Sequence, residues 1–311
     1  MPLPLSLVSV FVRGQEGLKY NLNKSKSEAL NWVYAMTIQY GRIRSFTAGF
    51  LGQKAWTGAL FLAGISLVLT TASCKKSAEA SSDPAPARPA ADAIAEADTL
   101  YAGRADLTNV RRALVALRQA QAGGPNNYEL AWRLAKLNYY LGAHSADDTE
   151  REKAFREGTE AGKLAVKLQD GKPDGHFWLG ANYGGNAQIS LLAGYADTED
   201  IKREMEAVLR LDEGYSAGSA YMVLGQVYLE LPRLLGGDTQ KAIEYFQKGI
   251  RLGPNNSLLR WHLAQAYADA NRKEDARKEI EGLLAMKAEP GYEPEYKEAV
   301  GNALKLAEKL K

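Results

Sequence analysis

Residues 221–254, YMVLGQVYLELPRLLGGDTQKAIEYFQKGIRLGP, contain two amphipathic helical patterns separated by a loop rich in Pro and Gly. In the first pattern Tyr221 and Tyr228 lie seven residues apart with Gly225 between them, so all three share one helix face. The second pattern places Phe246 on its apolar face. A small residue opposite a large aromatic one is typical of two helices that pack closely. We therefore predict a helix hairpin here.

The same spacing recurs along the chain. In the following unit Ala264 and Ala276 take the small positions on the two helices, where short side chains let the backbones approach. Pro254 ends the preceding hairpin, because proline cannot continue a helix interior. Three more degenerate copies lie upstream. Their marker residues are Ala113, Leu117, Ala120, Trp132, Leu134, Ala135, Tyr139, Ala161, Ala165, Leu168, Trp178, Leu179, Gly180, Tyr183, Ile201, Met205 and Val208.

These spacings are similar to those of tetratricopeptide repeats. An amphipathic segment beginning at Pro294 follows the last copy and would cap it with a polar outer face. We predict an all-α fold over residues 94–311: a tetratricopeptide-type helix-hairpin solenoid with about five repeat-like units and a C-terminal capping helix.

An uncharged run occupies residues 55–73, after Lys54 and before Cys74. A positive flank, an apolar stretch and small residues follow one another in the order of a secretory signal. Residues 69–74 resemble a bacterial lipobox, in which the cysteine thiol receives diacylglycerol, although this chain has Thr71 where the pattern prefers leucine. Two alternatives are an uncleaved transmembrane anchor, since about 20 apolar residues span a bilayer, and a soluble core helix.

The lipoprotein interpretation divides the N-terminal third of the chain. Residues 1–35 would be a non-native extension, with translation starting at Met36, and residues 36–73 would form the signal peptide. Residues 74–93, rich in Ser, Ala and Pro, would be a flexible tether after the lipidated Cys74. The domain would then face the periplasm on a lipid anchor, and Lys75 after the cysteine favours the outer membrane over the inner.

Composition excludes several function classes. The chain carries 39 Lys and Arg against 37 Asp and Glu, without a basic stripe, so we expect no nucleic-acid partner. One Cys and three scattered His cannot form a cysteine-type zinc site. No residue set predicts a catalytic centre, a metal or a cofactor. Hydrolysis by a pair of carboxylates is a remote alternative.

Three segments, residues 130–140, 178–194 and 214–250, together resemble the T-component lipoproteins of TRAP (tripartite ATP-independent periplasmic) transporters. The most specific piece is LPRLLGGD at residues 231–238. The resemblance implies a periplasmic, lipid-anchored helical protein that forms trimers and partners the transporter's substrate-binding protein. The leading hypothesis is thus a binding and interaction module, not an enzyme. The alternative is a periplasmic carrier that holds a small apolar ligand in a pocket of the solenoid.

Two segments supply candidate contact residues. In residues 231–238, proline would end a helix, the glycines would allow positive φ, and the aspartate would cap the next helix; the leucines could also line a partner or ligand groove. NYGGN at residues 182–186 predicts a break between two helices or a polar ligand contact. The candidates are Trp178, Asn182, Tyr183, Asn186, Leu231, Pro232, Leu234, Leu235, Gly236, Gly237 and Asp238.

Overall fold

A computed structural model describes residues 88–189 and 191–311 of the chain. Over these residues the fold consists of eleven α-helices and one 3₁₀ turn, with no strand. The helices are α1 Ala90–Ala102, α2 Leu107–Gly123, α3 Tyr128–His144, α4 Asp148–Leu168, α5 Pro173–Ile189, α6 Leu191–Leu211, α7 Tyr215–Glu230, α8 Thr239–Leu252, α9 Ser257–Asp269, α10 Lys273–Leu284 and α11 Glu293–Lys309; the 3₁₀ turn is Arg233–Leu235.

Successive helices pack as pairs, α1 with α2 through α9 with α10, which gives five hairpins in the described part of the chain. The close crossings lie where the sequence predicts them. A Cβ at Gly225 would come within 2.5 Å of the Phe246 ring. Ala264 and Ala276 are both fully buried in the core. The all-α hairpin solenoid is therefore confirmed, and α11 packs on α9 and α10 as its final helix.

Short polar side chains fix where many of the helices begin. The Asp238 carboxylate accepts a hydrogen bond from the Lys241 amide at the start of α8, which confirms its predicted role as a cap. Such a cap satisfies one of the amides that the first helical turn leaves unpaired, and contributes about 1 kcal/mol. The other side-chain caps are Asp106, Asn127, Asp147 and Asn256.

The predicted break at residues 182–186 is wrong, because α5 runs without interruption from Pro173 to Ile189. Gly185 accommodates a neighbouring side chain. The Phe155 ring lies against Gly185, and a Cβ at Gly142 of α3 would come within 2.8 Å of the same ring. Glycine at both positions lets three helices pack around one phenylalanine, a long-range contact that the local sequence does not reveal.

A left-handed turn precedes the regular part of α7. Ser216, Ala217 and Gly218 have φ angles of 51°, 54° and 76°. This conformation favours glycine, so the two residues before Gly218 are strained. A Cβ at Gly218 would come within 2.9 Å of Gly249 Cα, which shows how closely α7 and α8 approach.

The array curves back on itself, so that the first hairpin meets the last helix. The Arg104 side chain donates from Nε and Nη2 to the Glu295 carboxylate at 2.9 Å and 2.6 Å, and from Nη2 to the Gly291 carbonyl oxygen at 2.6 Å. Arg104 and Glu295 side chains are 3% and 6% exposed. The first helices of successive hairpins pack side by side, from α1 with α3 to α7 with α9, and the inner face is the side of the array that they line.

The predictions for the N-terminal third fall outside the described residues. These are the extension at residues 1–35, the start at Met36, the signal at residues 36–73, the lipidated Cys74 and the tether up to residue 87. Helix α1 begins four residues before the predicted domain boundary at residue 94, with Ala93 fully buried. No helix in the described ranges has the length and apolar character needed to cross a membrane.

Candidate functional site

The loop at residues 231–238 joins α7 to α8 and has a defined backbone. The Leu235 amide donates to the Pro232 carbonyl oxygen at 2.8 Å, and the Asp238 amide donates to the Tyr228 carbonyl oxygen at 2.8 Å. Gly236 has the expected positive φ, 94°. Gly237 does not, but a Cβ there would collide with the Leu231 carbonyl oxygen. Gly236 is thus required by its backbone conformation, and Gly237 is required because a side chain there would collide with the backbone.

The same loop presents apolar side chains to solvent. Leu234 is 98% exposed and Leu235 is 49% exposed, while Leu231 is half-buried and Pro232 is exposed. Burying a leucine side chain is worth about 1.5–3 kcal/mol. A backbone held by its own hydrogen bonds would lose little conformational entropy on binding. The loop is therefore a suitable anchor for a protein partner.

The candidates on α5 lie inside the domain instead. Trp178 and Asn182 are both fully buried. The Asn182 amide donates to the carbonyl oxygens of Ala135 at 3.0 Å and Trp178 at 2.7 Å. Half-buried Asn186 donates to the Thr159 hydroxyl at 3.0 Å. These contacts tie α5 to α3 and α4, so these candidates form a set separate from the loop; Asn182 Oδ1 and Trp178 Nε1 have no hydrogen-bond partner among the described residues.

Sequence analysis missed a group of ionisable side chains on the inner face. Half-buried Lys136 follows the small crossing residue Ala135 on α3, and its ammonium lies 3.9 Å from the Tyr101 ring centroid and 6.0 Å from that of Trp178. Burial lowers the pKa of Lys136 to about 8. Its ammonium forms no ion pair or hydrogen bond with any described residue. This is an unneutralised cation between two aromatic rings.

Two half-buried carboxyl groups, those of Glu230 and Glu298, form no ion pair with a described residue. Burial raises the pKa of Glu230, at the end of α7, to about 8. Burial, and then the charge of Glu295, raise the pKa of Glu298 on α11 to about 7. Glu298 also lines a cleft of about 470 Å³ between α11 and the C-terminal end of α3.

Tyr139 lies beside these charges. It is 1% exposed, its ring centroid is 5.8 Å from that of Trp178, and its hydroxyl has no hydrogen-bond partner in the described part of the chain. Burial raises the pKa of Tyr139 well above its ordinary value, and the charges of Glu298 and Glu230 raise it further. A second ring, that of Phe155, has its centroid 5.9 Å from that of Tyr139, so the hydroxyl is enclosed in the core, where a group without a partner is costly.

Two of the histidines serve packing and hydrogen bonding. His176 contacts the Glu204 carboxylate at 2.7 Å and the Asp170 carbonyl oxygen at 2.8 Å. His262 contacts the Gln226 amide at 2.7 Å and stacks on the Phe246 ring. Within residues 88–189 and 191–311, no three His, Cys, Asp or Glu side chains are grouped so that they could hold a metal ion.

Comparison with known proteins identifies a matching family and solved structures of similar fold. A family model described as "TRAP transporter T-component" matches residues 126–311. No curated protein matches the chain. Among solved structures it is similar to TTC0263, a thermophilic TPR protein of Thermus thermophilus, with 19% identity and a TM-score of 0.54 over 69% of this chain and 98% of that one.

Two further solved structures share weaker likeness. They are PilF of Pseudomonas aeruginosa, with 16% identity and a TM-score of 0.46 over 71% of this chain and 92% of that one, and MamA, with 18% identity and a TM-score of 0.41 over 70% and 96%. At these identities a structural likeness speaks to the fold alone. The likeness to TTC0263 agrees with the helix hairpins described above.

Proposed function

The chain belongs to the TRAP transporter T-component family, and from that premise we propose that it binds the transporter's extracytoplasmic substrate-binding protein through the loop at residues 231–238. Stacked helix hairpins form extended surfaces suited to protein docking. As a TRAP T-component with a tetratricopeptide-type fold, the chain is an accessory protein with an interaction fold. The substrate-binding protein as partner and the loop as docking surface are proposals.

One observation carries the choice of surface: Leu234 is 98% exposed on a loop whose backbone is held at both ends. With Pro232 and Leu235, Leu234 forms an exposed apolar patch, and such patches mark protein interaction sites. The proposal assigns no chemistry to the chain, in keeping with the non-catalytic families it resembles.

The location follows from the N-terminal signal. We propose that Cys74 is lipidated and that the tether holds the solenoid at the periplasmic side of the outer membrane, where a soluble binding protein can reach it. Support comes from the charge and apolar pattern before Cys74. The trimer implied by the family resemblance stays a prediction.

A binding measurement tests the partner. The full chain, in detergent, is titrated with the substrate-binding protein of a TRAP transporter from the same genome. We expect binding by the wild type and at least roughly tenfold weaker binding by Leu234→Asp, because a charge replaces the anchor. Leu304→Asp is the matched control, since Leu304 is 50% exposed on α11. Equal affinities for all three chains would contradict the proposed surface, and no binding at all would contradict the partner.

The inner face favours a second candidate function, the carriage of a small ligand. Lys136, Glu230 and Glu298 form no ion pair with a described residue, and burial shifts the pKa of each of them. Isolated charges in a half-buried position are costly to keep, and a bound ligand would repay that cost. Docking and carriage are compatible in an accessory component of a transporter.

A further inference from the structure

The cleft of about 470 Å³ between α11 and the first two hairpins is large enough for a small molecule. One wall consists of Ala105, in the turn between α1 and α2, and of Tyr140 and His144 at the C-terminal end of α3. The rings of Tyr140 and His144 stack with their centroids 4.0 Å apart. The other wall is α11, so the chemistry of the cleft depends on which side chains that helix presents to it.

Glu298, Gly301 and Lys305 form one stripe along α11 and all line the cleft. Residues that are three, four and seven apart share a helix face. Another side of the helix carries Ala299 and Ala303, which are fully buried in the core. Helix α11 is therefore attached to the hairpins by its alanine side and presents the stripe with Glu298 and Lys305 to the cleft.

The half-buried polar groups on this wall have no partners. Glu298 and Asn302 lie four residues apart and both line the cleft, and neither side chain forms an ion pair or a hydrogen bond with a described residue. Glu295, which lines the cleft beside them, is bound by Arg104. Burial and the charge of Glu295 raise the pKa of Glu298 to about 7. A half-buried carboxylate without a counter-charge is costly, and a ligand cation would remove that cost.

The opposite end of the stripe carries a cation. Lys305 is exposed and forms no ion pair with a described residue. Seven residues of helix, about 10 Å along the axis, separate it from Glu298, which is beyond the spacing at which helical side chains pair. Between the two, no side chain lies within 4 Å of a Cβ built on Gly301. The stripe thus has a carboxyl group at one end, an ammonium group at the other and open space between them.

The distance between the two ends limits the ligand. Two charge-assisted hydrogen bonds of about 2.8 Å each leave about 5 Å between the charges of a molecule that bridges them. An extended four-carbon amino acid with its charges at opposite ends has this length. A ligand with a single charge would leave one end of the stripe without a partner, and the exposed Lys297 beside Glu298 disfavours a ligand that is only a cation.

We propose that the cleft binds a small amphoteric molecule, with its ammonium group at Glu298 and Asn302 and its carboxylate at Lys305. This inference rests on the proposed carriage of a small ligand, to which it assigns a site and a ligand class.

Four probes test the inference: 4-aminobutanoate, butylamine, butanoate and the apolar octan-1-ol. Each is radiolabelled and measured against the full chain by equilibrium dialysis at pH 8, with the same detergent on both sides of the membrane. At this pH Glu298 is ionised, because its pKa is about 7. We expect 4-aminobutanoate to bind at least roughly tenfold more tightly than butylamine or butanoate, because it makes a second charge-assisted contact. Wild-type protein suffices for this comparison.

Substitutions then locate the two ends. Glu298→Gln should abolish the advantage of 4-aminobutanoate over butanoate, and Lys305→Met should abolish its advantage over butylamine. The matched controls are Glu281→Gln and Lys278→Met, which change exposed residues of α10 outside the cleft and should leave all affinities unchanged. Equal effects of the cleft variants and their controls would contradict the assigned site.

The other outcomes separate the inference from the carrier function. If butylamine, butanoate or octan-1-ol binds as tightly as 4-aminobutanoate, the amphoteric inference is wrong and the carriage of a small ligand survives. If none of the four probes binds, both are wrong. Neither result bears on the docking of a protein at Leu234, which is measured separately.

Discussion

Arg104 and Glu295 form a buried, bidentate ion pair, although they lie 191 residues apart in the sequence. Arg104 Nε donates to Glu295 Oε1 at 2.9 Å and Nη2 donates to Oε2 at 2.6 Å. The pair joins the turn between α1 and α2 to α11. The first hairpin is thereby held against the final helix. The Arg104 guanidinium carbon also lies 4.8 Å from the Tyr101 ring centroid.

Removing one partner of that ion pair should destabilise the fold. Glu295→Gln leaves the Arg104 guanidinium buried without its counter-charge, and we expect the free energy of unfolding to fall by about 3 kcal/mol. Urea unfolding followed by circular dichroism measures the change. Glu308→Gln removes the partner of Lys311 in an exposed ion pair and should cost less than about 1 kcal/mol. An equal fall in the free energy of unfolding in both variants would show that the buried ion pair stabilises the fold no more than an exposed one.

Two helical glycines should respond in opposite directions to alanine. A Cβ at Gly225 would press on the Phe246 ring, whereas nothing lies within 4 Å of a Cβ at Gly301 on α11. We expect Gly225→Ala to destabilise by about 1–3 kcal/mol through overpacking, and Gly301→Ala to stabilise by about 0.5–1 kcal/mol through helix propensity. Thermal unfolding compares them. A stabilising Gly225→Ala would mean that α7 and α8 do not cross closely.

The raised pKa of Glu230 gives a pH-dependent prediction. Above its ordinary value of 4.5 the unfolded chain gives up a proton that the folded chain keeps until about pH 8. Because the folded state binds more protons in that window, this group lowers the free energy of unfolding as the pH rises from about 4.5 to about 8.

Glu230→Gln cannot ionise and escapes that loss. We expect it to match the wild type at pH 4.5 and to be more stable at pH 8 by about 1 kcal/mol, a figure reduced for partial exposure. Urea unfolding at the two pH values measures the difference, with the pH 4.5 data as the internal control. An identical difference at both pH values would mean that the carboxylate is well solvated.

His262 predicts the opposite trend at lower pH. Burial lowers its pKa to about 3 from 6.5, so below pH 6.5 the unfolded chain takes up a proton that the folded chain refuses. Stability from this group is therefore lost as the pH falls from about 6.5 toward 3. His262→Gln should remove about one proton from the uptake on unfolding, so its free energy of unfolding should change less with pH, at some cost in packing. Urea unfolding at pH 4, 5, 6 and 7 measures this slope. An unchanged slope would contradict a neutral, buried imidazole.

The sequence predicts the hairpins because their signals are local. These patterns are Gly225 with Phe246, which predicts a close crossing of two helices, and Asp238 before α8, which predicts a helix cap. The break predicted at residues 182–186 is wrong because Gly185 packs against the Phe155 ring, 30 residues away in the sequence, and helix propensity alone does not reveal that contact.

The inner charges were missed for a related reason. Lys136, Glu230 and Glu298 come from three separate segments, and the burial that shifts their pKa values depends on tertiary packing. The sequence also does not predict the left-handed turn at Ser216 and Ala217, since neither residue type favours positive φ. By contrast, the exposed loop at residues 231–238 could be found, because its Pro, Gly and Leu composition is unusual between two helices.

Photo-cross-linking from position 234 in living cells tests most directly that this component docks a substrate-binding protein through the loop. A photoreactive phenylalanine replaces Leu234 in one strain and Leu304, on α11, in another, and adducts are identified by mass spectrometry. We predict an adduct between position 234 and the TRAP substrate-binding protein, and none from position 304. A substrate-binding protein captured equally from both positions, or from neither, would contradict the account.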